Sequence, residues 1–158
     1  MKRLVFVAIL VLFVTVINGC AVAPKPRIIE KSFDLEYDYD AVWQSVIHTF
    51  AEHMYGIDNM EKDSGLITTD WHDLSNTLKS YADCGSGGLC TSTGRRVKFN
   101  IFLRKHSNNK VNLTVNCDFE ELRDCTALTG KMGFAQCVST GELEARLYKE
   151  IMGKLKIQ

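Results

Sequence analysis

One long segment alternates apolar and polar side chains on both sides of a turn: residues 97–119 read VKFNIFLRKHSNNKVNLTVNCDF. The apolar side chains that share one face are Val97, Phe99, Ile101 and Leu103 before the turn, and Val111, Leu113, Val115, Cys117 and Phe119 after it. Alternation with a period of two is typical of a strand with one buried face. Residues 107–110 predict the turn, since asparagine tolerates a positive φ. The segment therefore predicts an antiparallel hairpin whose opposite face is solvated.

Apolar residues three and four apart predict two amphipathic helices, one on each side of this hairpin. The first helix follows Asp38 or Asp40, either of which is suited to cap it. Its apolar positions are Val42, Trp43, Val46, Ile47, Phe50, Ala51 and Met54. The second helix has its apolar stripe at Leu143, Leu147, Tyr148, Ile151, Met152 and Leu155. Before it, STGE at residues 139–142 predicts a capping box, with Ser139 as the cap and Glu142 reaching back.

Further strands complete the predicted domain. Residues 28–37 alternate in their second half, and KDSG lies between residues 57–61 and 66–71 as the turn of another hairpin. The predicted order is β-α-β-β-β-β-α, an α+β fold class in which two helices pack on one face of an antiparallel sheet. We assign residues 30–158 to this single domain. Residues 72–96 form a long connection, which we expect to have a function or to be held by disulfides.

The N-terminal residues indicate an exported protein. Two basic residues precede an uncharged apolar run, which ends in INGC at residues 17–20. This order is typical of a signal peptide, and INGC resembles the lipobox of bacterial lipoproteins. The resemblance implies a lipoprotein signal peptide at residues 1–19 and lipidation of Cys20. Residues 20–29 contain both prolines and are predicted to be an extended, lipidated tether. Two alternatives remain open: a plain secretory signal in which Cys20 is incidental, and an uncleaved anchor.

Lipidation would anchor the chain to a membrane through Cys20, since two or more acyl chains hold a protein stably on a bilayer. In enteric-type lipoproteins, Asp after the cysteine retains the protein in the inner membrane, and this chain has Ala21 there. The resemblance therefore implies an outer-membrane location, with the domain facing the periplasm. Six cysteines in 158 residues fit such an oxidising compartment. The implied partners are the membrane and an envelope protein.

Several motifs resemble one class of envelope protein. YDAVW at residues 39–43 opens a helix and GLITTDW at 65–71 closes a hairpin, which resembles the domains of BamC-type outer-membrane lipoproteins. YADCG at 81–85 and CVSTG at 137–141 resemble segments of a family of uncharacterised Gram-negative lipoproteins of the same build. The resemblance covers most of residues 30–156 and implies a helix-grip, or TATA-binding-protein-like, fold. BamC-type proteins carry two such domains, whereas this chain has room for one.

With Cys20 lipidated, an odd number of cysteines is left: Cys84, Cys90, Cys117, Cys125 and Cys137. An odd set leaves at least one free thiol or an intermolecular bond. The family resemblance implies a Cys84–Cys137 disulfide, which would tie the long connection to the start of the last helix. A second bond would use two of the other three cysteines. Cys117 lies on the apolar side of its strand and is equally interpretable as a buried, inert thiol.

Composition and motifs argue against several function classes. Lys plus Arg and Asp plus Glu number 19 each, whereas a general nucleic-acid binder needs a basic face. GSGG at residues 85–88 lacks the helix and lysine of a phosphate loop, and no serine lies in a nucleophile elbow. His48 and His53 are five residues apart, so they do not share a helix face as zinc ligands would. We therefore predict no enzyme activity, no catalytic residues, no metal and no cofactor.

The leading hypothesis is a non-enzymatic envelope lipoprotein whose domain is a protein-interaction or scaffold module. Its candidate contact residues are Trp71, Phe102, Arg95 and Arg96. Phe102 interrupts the polar side of a strand, and it is either exposed or covered by the long connection. The two arginines are predicted at the start of that strand, where they contact a partner or anionic lipid or are only solvated. The alternative function is a carrier that holds an apolar small molecule or lipid between sheet and helices, and both functions are compatible with the fold class.

Overall fold

The computed structural model describes residues 21–74, 80–107 and 109–156. Within them the elements in chain order are β1 (Ala21–Val22), β2 (Ser32–Leu35), α1 (Tyr39–Glu52), β3 (Ile57–Glu61), β4 (Leu66–Thr69), β5 (His72–Leu74), β6 (Ala82–Asp83), β7 (Ser86–Gly87), β8 (Thr91–Ser107), β9 (Lys110–Cys125), α2 (Thr126–Thr129), β10 (Lys131–Ser139) and α3 (Glu142–Leu155).

The sheet is built on one long hairpin. β8 and β9 pair from Thr91 opposite Asp124 to Ser107 opposite Lys110, with Asn109 at φ 59° in the turn. β4 and β5 pair with β8 on one side, and β2 and β10 pair with β9 on the other. The main path is β3-β4-β8-β9-β10-β6, and its pairings are antiparallel. The predicted α+β class with a mostly antiparallel sheet is confirmed.

β10 is a strand that the sequence analysis did not predict. It pairs with β9 from Lys131 opposite Cys125 to Cys137 opposite Phe119. Most of its side chains are exposed on both faces, so KMGFAQCVS lacks the single buried face that produces an alternating pattern. The predicted element order therefore omitted the strand between the hairpin and the last helix, together with the short strands β1, β5, β6 and β7.

The core lies between the sheet and the two long helices. The apolar side chains predicted on the inner face of the hairpin are all buried. They belong to one cluster with the buried apolar residues of α1 and α3: Val42, Trp43, Val46, Phe50, Leu143, Leu147, Ile151 and Leu155. Asp38 caps α1, because its carboxylate accepts the Asp40 N–H at 2.9 Å. Apolar burial of this kind is the main favourable term in folding.

α3 begins differently from the prediction. Its N-cap is Gly141, at φ 87°, and Ser139 is the last residue of β10. The Ser139 hydroxyl donates to the Glu144 carboxylate at 2.8 Å and accepts the Gly141 N–H at 3.0 Å. The predicted capping box with Glu142 is wrong, because the strand continues to Ser139 and the chain turns at Gly141. A Cβ at residue 141 would lie 3.1 Å from the Ile29 side chain.

Two disulfides among the described residues fasten the long connection to the sheet. Cys84–Cys137 joins it to β10, and Cys90–Cys125 joins it to the end of β9. The first is the pair that the family resemblance implies. Loops of 53 and 35 residues are closed, which on the chain-entropy model stabilises the fold by about 4 kcal/mol for each bond taken alone. Cys117 has a free, buried thiol.

The predicted signal peptide and Cys20 lie outside the described residues. The described part of the predicted tether begins with β1, which pairs with β7 in the long connection. Across the described ranges, no helix has the length and apolar character needed to cross a membrane.

We expect peptide mapping without reduction to recover two linked pairs, Cys84 with Cys137 and Cys90 with Cys125. Burial raises the pKa of the Cys117 thiol well above its ordinary value, and the nearby Glu144 carboxylate adds to the effect. Because the thiolate is the reactive form, Cys117 should resist iodoacetamide in the folded protein and react after unfolding in guanidinium chloride. Scrambled pairs, or rapid alkylation of the folded protein, would contradict this arrangement.

Candidate functional site

The sheet face opposite the two long helices is called here the open face. It carries the side chains that alternate with the core: Lys98, Asn100, Phe102 and Arg104 on β8, and Asn112, Thr114, Asn116, Asp118 and Glu120 on β9. These residues are mainly polar and half-buried by one another. Aromatic rings interrupt the polar surface at two places, and we treat both as candidate contact sites.

The first aromatic site is centred on Arg96 of β8. Its guanidinium carbon lies 4.5 Å from the centre of the Trp71 ring and 3.4 Å from the centre of the Phe134 ring. The guanidinium also donates to one oxygen of Glu120, from Nε at 2.9 Å and from Nη2 at 2.6 Å. Gln136 donates to the other Glu120 oxygen at 2.8 Å. We call these five residues the Arg96 cluster.

The Arg96 cluster is preorganised for contact with another surface. Cation–π contacts and charge-assisted hydrogen bonds hold the guanidinium between its neighbours. Glu120 balances the charge of Arg96, while the Phe134 side chain remains 49% exposed. Trp and Arg are enriched among the side chains that dominate protein–protein interfaces. Because these groups are already ordered, less side-chain entropy is lost when a partner binds.

The sequence analysis identified Trp71 and Arg96 as candidates but missed Phe134. Phe134 lies on β10, opposite Leu122, with the exposed Met132 two residues before it on the same face. The alternation of Met132 and Phe134 with small or polar residues is a weak strand signal. The pattern covers too few residues to identify a strand, and Gly133 between the two apolar residues weakens it further.

Phe102 forms the second aromatic site, near the other end of the open face. Its cross-strand neighbours are Leu66 and Thr114, and the Arg104 guanidinium lies 5.5 Å from its ring centre. Six residues separate it from Arg96, which is about 20 Å along a strand. Phe102 is half-buried, and the described strands of the long connection pair with β8 near Arg96, with β10 and with β1. The structure therefore does not bring Phe102 together with Trp71 and Arg96.

Arg95 points away from the open face. Its Nε and Nη2 atoms donate to one oxygen of Glu121, at 3.1 Å and 2.9 Å. The prediction that Arg95 and Arg96 begin a strand is wrong, because β8 begins at Thr91. Alternation within the strand then places the two arginines on opposite faces. Of the pair, only Arg96 lies where a partner can contact the open face.

Glu121 is the centre of a buried polar cluster under the long connection. It is 5% exposed and accepts hydrogen bonds from Arg95, from Arg123 and from Ser92. Burial by itself raises the pKa of Glu121, but the bonds from Arg123, Ser92 and Arg95 outweigh burial and hold the pKa below its ordinary value of 4.5. Arg123 also donates to the Cys84 carbonyl. The cluster therefore links this end of the sheet to the disulfide-bonded connection.

We expect Glu121→Gln to destabilise the domain by about 3 kcal/mol at pH 7, because it leaves two half-buried arginines without their buried carboxylate. The lowered pKa means that the ionised carboxylate stabilises the fold above pH 4.5 and that this contribution is lost as the pH falls through the folded-state pKa. Urea unfolding of both proteins at pH 7 and pH 3 measures the difference. A gap that stays constant between the two pH values would contradict the charge argument.

Among the described residues, no group of three or more His, Cys, Asp or Glu side chains is placed to hold a metal ion. No protein-family model matches the chain, and no curated protein shows significant similarity to it. The Arg96 cluster is the most distinctive side-chain arrangement on the open face.

Proposed function

We propose that this chain is a lipid-anchored protein of the bacterial envelope whose domain binds a protein partner through the open face. The observation that carries the proposal is the Arg96 cluster, in which a charge-balanced arginine holds two aromatic rings on a surface that the helices leave uncovered. A rigid aromatic and arginine site surrounded by polar residues is the usual composition of an interface centre. The proposed activity is binding, and no reaction is assigned to the domain.

The proposed location is the periplasmic side of the outer membrane. Its supports are the signal-peptide pattern ending in Cys20, the Ala21 that follows, and the pairs Cys84–Cys137 and Cys90–Cys125. Disulfides persist in the periplasm and are rare in the cytosol. Lipidation of Cys20 would concentrate the domain at the membrane, where an envelope partner is also held.

The proposed fold family is the helix-grip, or TATA-binding-protein-like, class to which the BamC-type domains belong. Its support is the core order of a strand and α1, then the strands of the sheet, then α3, with both long helices on one face. The resemblance extends to one domain, so the proposal does not transfer the assembly role of the two-domain proteins.

The carrier hypothesis is disfavoured by the packing of the core. A carrier needs space between sheet and helices, whereas Phe50, Phe99 and Phe119 and the aliphatic side chains around them fill that position with 2% exposure or less. Surface grooves do occur, for example the one lined by Tyr39 and Phe102, but they lie outside the core. Native mass spectrometry of the mature protein distinguishes the two functions, since a copurified lipid or small molecule would favour a carrier.

We expect Cys20→Ala to abolish lipidation. The substitution removes the thiol that takes the diacylglycerol, so the precursor should remain uncleaved by the lipoprotein peptidase and unlabelled by an alkyne palmitate analogue. The wild-type chain should be labelled and shortened in the same cells. Normal processing and labelling of the variant would contradict the lipid anchor.

We expect Phe134→Ala to weaken partner binding while the melting temperature changes by no more than ~3 °C, since the ring is half-exposed. A photoreactive amino acid at Met132, next to the ring, should crosslink the full-length chain to an envelope protein in intact cells. The Phe134→Ala background should lower that adduct by about tenfold, the usual effect of a hot-spot truncation.

Two further variants complete this experiment. Met60→Ala is the matched control, because it removes an apolar side chain of 50% exposure from the edge strand β3. Phe102→Ala tests whether the partner also covers the second aromatic site, and its adduct should fall with little loss of thermal stability if it does. An unchanged adduct in Phe134→Ala, or a large fall in its melting temperature, would argue against the Arg96 cluster as the contact site.

A further inference from the structure

The segment that follows Cys20 in the chain is docked on the long connection. Ala21 pairs with Gly87 and Val22 with Ser86, which joins β1 and β7 antiparallel. The Val22 N–H also donates to the Ser86 hydroxyl at 3.0 Å. Further along, the Lys25 N–H donates to the Asp83 carboxylate at 3.2 Å. Backbone and side-chain bonds therefore hold this segment at residues on both sides of Gly85.

The long connection is shaped to receive the segment. Gly85 has φ +65°, and a Cβ on it would lie 2.0 Å from the Val22 carbonyl oxygen, so a side chain at this position displaces the segment. Gly88 also has a positive φ, +62°, but a Cβ there meets its nearest atom, the Ala21 nitrogen, at an ordinary 3.8 Å. The two glycines share a left-handed backbone conformation, which would strain any other residue, and differ in the atoms that a Cβ would contact.

The docked segment is fixed relative to the whole sheet. The residues that pair with β1, Ser86 and Gly87, lie between Cys84 and Cys90 in the chain. The disulfides of these two cysteines attach that part of the connection to β10 and to the end of β9. At this end of the molecule two apolar side chains are exposed: Leu89 at 81% and Val22 at 56%. Neither contributes to the core, and both lie within a few residues of the Ala21–Gly87 pair.

We propose that this end of the domain rests on the lipid bilayer, with Leu89 and Val22 in contact with the membrane interface beside the acyl chains. The inference rests on the proposed lipidation of Cys20. Adjacent Cα atoms are 3.8 Å apart, so acyl chains on Cys20 begin next to Ala21. Because Ala21 is paired in a strand, no free tether separates the domain from the membrane. We call the surface formed by Ala21, Val22, Gly88 and Leu89 the membrane foot.

A lipid surface is the occupant that fits the membrane foot best. Small exposed apolar side chains next to a covalent anchor add apolar contact at the headgroup boundary, which strengthens attachment to a bilayer. The membrane is also the one partner that lipidation would place at this end of the chain. β8 begins at Thr91, two residues after Leu89, so the proposal places the Thr91 end of the sheet nearer to the membrane than the opposite end.

Photocrosslinking tests the orientation in the full-length, lipidated protein. We would reconstitute it into vesicles of equal parts phosphatidylethanolamine and tagged phosphatidylglycerol, with a photoreactive amino acid at Leu89. The matched control carries the same group at Met60, also exposed and apolar, which lies level with Ile101 through the β3-β4-β8 pairing. Ile101 is ten residues from Thr91, about 33 Å along the strand. We expect about tenfold more phospholipid adduct at 89 than at 60, because an interfacial side chain penetrates only ~5–10 Å.

Substitutions at the two glycines test the docking of the segment. Gly85→Ala should lower the phospholipid adduct at position 89 to the level at position 60, whereas Gly88→Ala should preserve it. The comparison of positions 89 and 60 in the otherwise unaltered chain does not depend on either variant folding. Equal adducts at 89 and 60 in a palmitate-labelled chain would overturn the membrane foot alone. A chain without acyl label would overturn the proposed lipid anchor and the foot with it.

Discussion

The register of the β8–β9 ladder is the constraint on which the other features depend. The two strands pair over most of their length, and between the irregularities at residues 92–94 and 105–107 their side chains alternate between the core and the open face. A slip of one residue would exchange the faces of one strand relative to the other, for example placing Lys98 against the helices and Phe99 in water. The apolar inner face therefore specifies the register, and the register assigns Arg95 to the interior and Arg96 to the open face.

The end of this ladder near Thr91 is held by a different kind of interaction. Arg95 and Arg123 bind the Glu121 carboxylate and also donate to backbone carbonyls of the long connection. Two disulfides fasten the same connection to the sheet. Covalent closure and paired charges therefore add to the packing of Tyr81, Ala82 and Cys84 as the source of order in this region. This arrangement also explains how a short, glycine-rich segment can hold the chain that follows Cys20 in place.

The elements that were predictable from the sequence are those with one buried face. The long hairpin, α1 and the apolar stripe of α3 each repeat apolar residues with the period of their own structure, so their existence could be inferred residue by residue. β10 could not, because both of its faces are largely exposed and its partner β9 determines its path. The start of α3 was misjudged for the same reason, since β10 occupies Ser139.

Only part of the candidate site could be predicted from the sequence, because the contacts among its residues are tertiary. Trp71 and Arg96 were recognisable from the sequence as aromatic and basic candidates. Their contact depends on β5, which pairs beside Arg96, and the third member, Phe134, comes from β10, which pairs with the far edge of β9. No local pattern encodes a contact among three separate strand regions. That Arg95 and Arg96 lie on opposite faces of the sheet could likewise be inferred only once β8 was known to begin at Thr91.

The proposed membrane foot lies next to the Thr91 end of the β8–β9 ladder, and Arg96 and Phe102 lie at increasing distances along β8. Arg96 is five residues from Thr91, about 17 Å along β8, whereas Phe102 is eleven residues away, about 36 Å. If the foot rests on the bilayer as proposed, the Arg96 cluster is nearer to the membrane than Phe102 is. In that orientation, a partner embedded in or anchored to the same membrane would meet the Arg96 cluster before Phe102. A partner arriving from the periplasm reaches Phe102 first, so the two aromatic sites on the open face distinguish between these directions of approach.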